Sequence, residues 1–489
     1  MKISFLLSLA ASVAILAGCT SAPKKIPASS GPGVLAINVA DAAESDINVR
    51  PNLPLEDSEA HVTVRVRNNG ENPLYDVELS LTDSVSGAVI GSSRIDLPSR
   101  GSAKKEFVWK TGPNGFRQLR AVARHGDNQA IADLKIPVIS RPLYFPWFGG
   151  DTPAGRKLRY ANVVMARDQA QFTYWHERGV LPCLWKGVDR KKTAADYAAY
   201  LRQGLADPAT GAAGIMIDEM GGYDNNEILN SNYFIGFKQF LDNNPQYFTA
   251  LWCCGSLQPA YCNISRNVYR KDKGINLLML ECYSNFQVVE FSSWKRFDYF
   301  DQRIFIARQQ DVLSNTVMTL AIDGNKERFN LFGYEIEDQL RYVRRHAPEM
   351  PGVGFFHVET KSPELVPVAD DLCRKYFIAP VVQVWQEDLQ FAPVTPKAGE
   401  KFQILAGVHN IGAMDAPGVV VTIRVDGKPV KRETVTLPAL KKGEAPRPVQ
   451  VLAEYRADVP GYRTIQVEVL PGAGQTLLDG QAERMVYVH

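Results

Sequence analysis

The run Ala213-Gly214-Ile215-Met216-Ile217-Asp218-Glu219-Met220-Gly221-Gly222 carries the apolar residues of a buried strand straight into two carboxylates. Two acids at the exit of such a strand add nothing to packing and are costly to desolvate. The glycines after Met220 let the backbone turn sharply and leave room for a close approach. Similar exits recur along the middle of the chain. Apolar runs deliver Trp147 and Asp151, Arg167 and Asp168, Trp185 with Lys186 and Asp189, Trp252 and Cys254, Glu281 and Tyr283, Asp323, and finally His357 and Glu359. This inventory is acidic and aromatic. Two carboxyl groups flanking a glycosidic bond can hydrolyse it, one protonating the leaving oxygen and the other acting as nucleophile or base. Aromatic faces stack on the apolar faces of sugar rings.

The elements that must position these groups change texture along the chain. From about residue 34 to 140 the hydrophobic period is two. His61-Val62-Thr63-Val64-Arg65-Val66-Arg67-Asn68 alternates, and Asn69-Gly70 supplies a turn. Val77-Glu78-Leu79-Ser80-Leu81-Thr82 alternates again, and short strands at regular spacing predict an antiparallel β-sandwich. From Pro142 to about Phe377, apolar strand runs alternate with helical stretches. Strands are expected at 143–148, 161–166, 180–185, 214–218, 248–253, 276–282, 316–322 and 353–358. Helices are expected at 168–178, 193–206, 226–243, 291–313, 333–346 and 363–377, with a weaker one at 262–273. Eight strands with alternating helices over about 235 residues suit one (β/α)8 barrel. A nucleotide-binding open sheet would carry a glycine-rich phosphate turn, and no GxGxxG or Walker sequence is present. From Pro380 onward the period returns to two, with an Asp426-Gly427 hairpin signal.

The predicted fold class is therefore multidomain: a central (β/α)8 TIM barrel between N- and C-terminal antiparallel β-sandwiches. The expected segments are a signal peptide at 1–18, a lipidated cysteine and tether at 19–33, a sandwich at 34–140, the barrel at 141–379 and a sandwich at 380–489. A chain of 489 residues with 45% hydrophobic and 22% charged residues is long enough for such a set of cores. A net charge of +2 and the lack of basic blocks give no reason to expect nucleic acid as a partner.

Three resemblances add to this. After Lys2 and the apolar run to Ile15, Leu16-Ala17-Gly18-Cys19 resembles the bacterial lipobox. It implies cleavage before Cys19, lipidation of that thiol and attachment to a membrane. Thr20-Ser21 in place of an aspartate looks like the outer-membrane pattern, so the expected location is the bacterial cell envelope. The phrases Val66-Arg67-Asn68-Asn69-Gly70 and Val408-His409-Asn410-Ile411-Gly412 look like the immunoglobulin-like CARDB domains. These imply spacing, packing against the barrel or carbohydrate contact. Finally, the acids on strands four and six are similar in placement to those of (β/α)8 glycoside hydrolases. No particular family is implied: Asp218 stands where one large clan has Asn, and the Asp-x-Asp-x-Glu run of the chitinase-like group is absent.

The catalytic expectation is Glu219 with Glu281, and Asp218 or Asp323 as substitute partner. Strand alternation sends Asp218 and Glu219 to opposite faces, which leaves open the one aimed at substrate. Trp147, Trp185, Lys186, Trp252, Tyr283, His357 and Glu359 are the expected substrate-binding residues. Each has an ordinary structural role as well: an acid can cap a helix or pair with a base, and a tryptophan can pack. No cofactor or metal is expected, since the barrel's histidines are only His176, His346 and His357 and no Cys/His zinc spacing occurs. Seven cysteines leave six besides Cys19, and a Cys254–Cys262 bridge is the one local pairing considered. The expected activity is two-carboxylate hydrolysis of a poly- or oligosaccharide by a lipid-anchored O-glycosidase. Its rival is a surface lipoprotein that binds glycan without cleaving it.

Overall fold

The computed structural model describes residues 34–39, 45–148, 152–153, 155–205, 211–218, 232–253, 276–282, 293–322, 333–356 and 363–489. The expected leader, Cys19 and the tether lie outside them. Among the described residues no helix is long and apolar enough to cross a membrane.

The eight central strands form a closed parallel barrel in sequence order: Pro146–Phe148, Val163–Ala166, Leu181–Lys186, Gly214–Ile217, Phe248–Cys253, Leu277–Glu281, Thr316–Ala321 and Val353–Phe356. The last strand pairs with the first, Phe355 opposite Trp147, which closes the ring. These strands are apolar on both faces, as parallel strands covered by helices must be. One set of side chains fills the interior: Val163, Cys183, Met216, Ala250, Trp252, Leu277, Met279 and Val317. The alternate set, including Val164, Ile215, Ile217, Leu251, Leu278, Leu280, Met318 and Leu320, packs outward against the helices.

The helices are Gln169–His176, Ala194–Arg202, Asn232–Asn243, Ser293–Gln309, Gly333–His346 and Leu365–Cys373. Asp168 caps the first by accepting the Gln171 amide, and Thr193 caps the second through the Asp196 amide. Asp370 ties the last helix back to the first crossover. It accepts the Arg159 and Tyr160 amides at 2.9 and 3.0 Å, and the Arg159 guanidinium at 2.9 Å. At Gly214 a Cβ would lie 1.7 Å from the Phe248 carbonyl oxygen, so only glycine lets strands four and five approach there.

Both flanking domains are two-sheet, mainly antiparallel sandwiches, with Thr476–Asp479 pairing parallel to Val381–Ala392 in the C-terminal one. In the N-terminal one, Ala60, Val62, Val64 and Val66 of strand Glu59–Asn68 face the core while the residues between them face outward. In the C-terminal one, the strands Val381–Ala392, Lys401–Asn410, Val449–Arg456 and Thr476–Asp479 form one sheet. Ala416–Val425, Lys428–Leu437, Gly461–Leu470 and Gln481–Val488 form the other. The phrase shared by the two domains is an Asx turn. Asn68 accepts the Gly70 amide at 2.9 Å, and Asn410 accepts the Gly412 amide at 3.0 Å. In each case the side-chain amide donates to carbonyls of the following loop.

The three domains meet at one seam. Arg141 and Arg344, both buried, donate to the carbonyls of Pro348 and Ile411, joining the barrel to the C-terminal sandwich. Burial pushes the Arg141 guanidinium down to about 10. The two sandwiches also touch directly. The Asp415 amide donates to Asn114, and Lys441 pairs with Glu56 at 3.1 Å.

Candidate active site

Barrel chemistry is done at the C-terminal ends of the strands, so the inward or outward sense of each exit decides what can reach a substrate. Strand four settles it for Asp218. Ile215 and Ile217 point to the helices and Met216 to the interior. The Asp218 amide still donates to the Lys186 carbonyl at 2.8 Å, so the ladder continues through it. Asp218 therefore shares the inward sense of Met216.

Trp185, on strand three, follows Leu181 and Cys183 on the same inward face. Its indole N–H donates to Asp218 Oδ2 at 3.1 Å. It is 46% exposed, so much of its ring is uncovered. Strand six delivers Glu281 in the same sense as Leu277 and Met279, and Glu281 is half-buried. Its partner across the ladder is Thr319 on strand seven. Thr319 is buried, and its hydroxyl has no hydrogen-bond partner among the described residues.

Other expected site residues lie elsewhere. Trp147 faces outward into the helix layer and is buried against Phe355. Trp252 points inward but is buried, with Phe148 4.5 Å from it. Lys186, one residue after Trp185, takes the outward sense. Its ammonium donates to the Tyr200 and Gln203 carbonyls at 2.8 and 2.7 Å, closing the C-terminal end of helix Ala194–Arg202. Burial lowers its pKa. Asp189 bonds Lys192 at 3.0 Å and the Lys191 amide.

Glu219, Tyr283, Asp323, His357 and Glu359 lie outside the described residues, as do Asp151 and Cys254. Cys183, Cys282 and Cys373 are free and buried. Burial pushes the thiols of Cys183 and Cys282 up to about 12, so neither is a nucleophile. Among the described residues no group of three His, Cys, Asp or Glu side chains could hold a metal. Sequence reasoning missed the Trp185–Asp218 bond and Thr319. The signal for the first was present: Trp185 and Asp218 leave neighbouring strands with the same parity once the register is known.

Residues 380–471 match the CARDB family. No curated protein matches the chain by sequence. Among solved structures, the chain is similar to Bacteroides uniformis β-glucuronidase at 11% identity and a TM-score of 0.31, covering 93% of this chain and 62% of that one. It thus spans about three fifths of that enzyme's length. A cycloisomaltooligosaccharide glucanotransferase of Paenibacillus sp., complexed with cycloisomaltoheptaose, shows 11% identity and a TM-score of 0.32 over 93% of this chain and 72% of that one. The CARDB domain of a Pyrococcus furiosus protein, in complex with di-metal ions, shows 18% identity and a TM-score of 0.19. It covers 23% of this chain and 91% of that domain.

Proposed function

We propose that the protein is a glycoside hydrolase whose barrel mouth cleaves a poly- or oligosaccharide with two carboxyl groups. The observation that carries this reading is the shared inward sense of Asp218 and Glu281 at the exits of strands four and six, with the exposed Trp185 ring beside Asp218. The indole N–H donor suits Asp218 to the carboxylate role, as nucleophile or base, and Glu281 then supplies the proton to the leaving oxygen. Trp185 offers a stacking face to the sugar beside the bond to be cut. Glu219, the first partner expected for Glu281, and Asp323, a substitute, both lie outside the described residues and stand as alternatives to Asp218. The chain would act at the cell envelope, held there by a lipid on Cys19.

The test is hydrolysis of a panel of oligosaccharides, read by mass spectrometry, with the wild type, Asp218→Asn and Glu281→Gln. Each variant, folded by circular dichroism, should lose about a hundredfold or more in kcat. Full activity in either would remove that residue from the pair. Binding without cleavage of any panel member by the wild type would make the barrel a glycan-binding platform. The anchor is tested separately: Cys19→Ala should move the protein out of the membrane fraction.

A further inference from the structure

We propose that the outward face of the last sheet of the C-terminal sandwich, centred on Tyr462 and Tyr487, binds an extended neutral polysaccharide. Strands Gly461–Leu470 and Gln481–Val488 pair so that Tyr462 lies opposite Tyr487. Their ring centroids are 5.0 Å apart at an interplanar angle of 69°. The two rings are 69% and 43% exposed, and Met485 beside them is also exposed. Alternation explains why: Ile465, Val467 and Val469 fill the core, which sends the residues between them, and Tyr462, outward.

What lies next to the rings points to the ligand. Further along the same face runs a strip of planar hydrogen-bonding groups. Gln466 donates to Glu483 at 2.8 Å, and Arg424 reaches Glu468 at 3.5 Å. The two arginines of this face, Arg424 and Arg432 opposite Thr422, are offset by Glu468 and Glu483, so the face has no net cationic field to draw a phosphate chain or an anionic membrane. Amphipathic rings beside a charge-balanced row of amides, carboxylates and guanidinia suit a ligand with apolar ring faces and many hydroxyls. From Tyr462 to Glu468 the strip spans about 20 Å, which suits several sugar units of an extended chain rather than one. By contrast, a cavity of about 290 Å³ between the N-terminal sandwich and the barrel is lined by groups that pair with each other, such as Lys104 with Glu177 and Arg50 with Glu106. Binding at the tyrosine face does not depend on what the barrel does.

The test is native-gel affinity electrophoresis of the full chain in gels containing hydroxyethylcellulose, xyloglucan, galactomannan or dextran. The wild type should be retarded by at least one of them. Tyr462→Ala and Tyr487→Ala should each weaken that retardation about tenfold, and the double variant should abolish it. Tyr462→Phe and Tyr487→Phe keep the rings and should retain most of the binding. Tyr75→Ala, an exposed tyrosine of the other sandwich, should leave it unchanged. Tyr462→Ala and Tyr487→Ala should leave hydrolysis of short soluble oligosaccharides unchanged, which separates this site from the hydrolytic one. No retardation by any of the four polymers overturns the proposal, and so does equal retardation of the alanine variants. Light scattering that shows a dimer lost in Tyr462→Ala would assign the face to a second copy of the chain instead.

Discussion

Replacing Trp185 with Phe isolates one interaction at the mouth. An aromatic face is kept, though reduced from the indole to a single ring, and the N–H donated to Asp218 Oδ2 is removed. A hydrogen bond to a charged group contributes about 1.5–3 kcal/mol net. Trp185 is 46% exposed and Asp218 is not deeply buried, so water competes for the bond and the lower end applies. A loss of about 1.5 kcal/mol in the transition state corresponds to about a tenfold drop in kcat. KM should rise less than in Trp185→Ala, because one aromatic ring survives. Trp185→Ala removes both contributions and should raise KM as well as lower kcat. The assay is steady-state hydrolysis of whichever oligosaccharide the wild type cleaves, with thermal midpoints confirming that the fold is unchanged. A Phe variant with the kcat of the wild type would refute the view that Trp185 positions Asp218. An Ala variant with unchanged KM would refute its role in stacking.

Two further expectations concern stability. Asp370→Ala leaves the Arg159 and Tyr160 amides without their acceptor where the last helix meets the first crossover, while the half-exposed Arg159 guanidinium keeps Asp371 3.6 Å away; it should cost about 2 kcal/mol, and a shift in the urea midpoint worth under about 0.5 kcal/mol would contradict this. His409 is buried with Asp388 2.6 Å from it, and burial outweighs that carboxylate to lower its pKa below the usual 6.5. The unfolded chain then takes up this proton at higher pH than the folded one, so stability should fall as pH drops below 6.5 and level off once the folded pKa is passed. His176 and His346, also lowered by burial, add to the same trend. Thermal midpoints between about pH 7.5 and about pH 5 should fall less in His409→Gln, and an unchanged slope would exclude that residue as a contributor.

The barrel strands were legible because long apolar runs between helical stretches have few other uses. Their observed limits agree with the expected ones to within about three residues. The sandwich strands were legible because alternation there is polar against apolar, as in Val62-Thr63-Val64-Arg65. The same property hid the directions of the barrel side chains. When both faces of a strand are apolar, nothing in Leu181-Pro182-Cys183-Leu184-Trp185-Lys186 marks which parity faces the interior. Trp185 and Lys186 thus looked alike as mouth residues, yet one faces the mouth and the other closes a helix. Trp147 and Trp252 were ambiguous for the same reason. The insertion Trp385-Gln386-Glu387-Asp388 had no sequence signal either. It bulges from its strand between Val384 and Leu389, which lays Trp385 3.9 Å over His409.

The seam of buried arginines bears on how such a chain can change over time. Arg141 and Arg344 donate to Ile411 in the neighbouring domain, while Asn114 and Asp415 link the two sandwiches to each other. Each module is thus fitted to both of the others rather than strung beside them. A foreign sandwich spliced in at residue 380 would have to place a carbonyl where Ile411 now accepts from both buried guanidinium groups. Recombination at that boundary should therefore produce few working offspring, and the three parts are expected to be inherited together, diversifying through their loops and outer faces instead of by exchange.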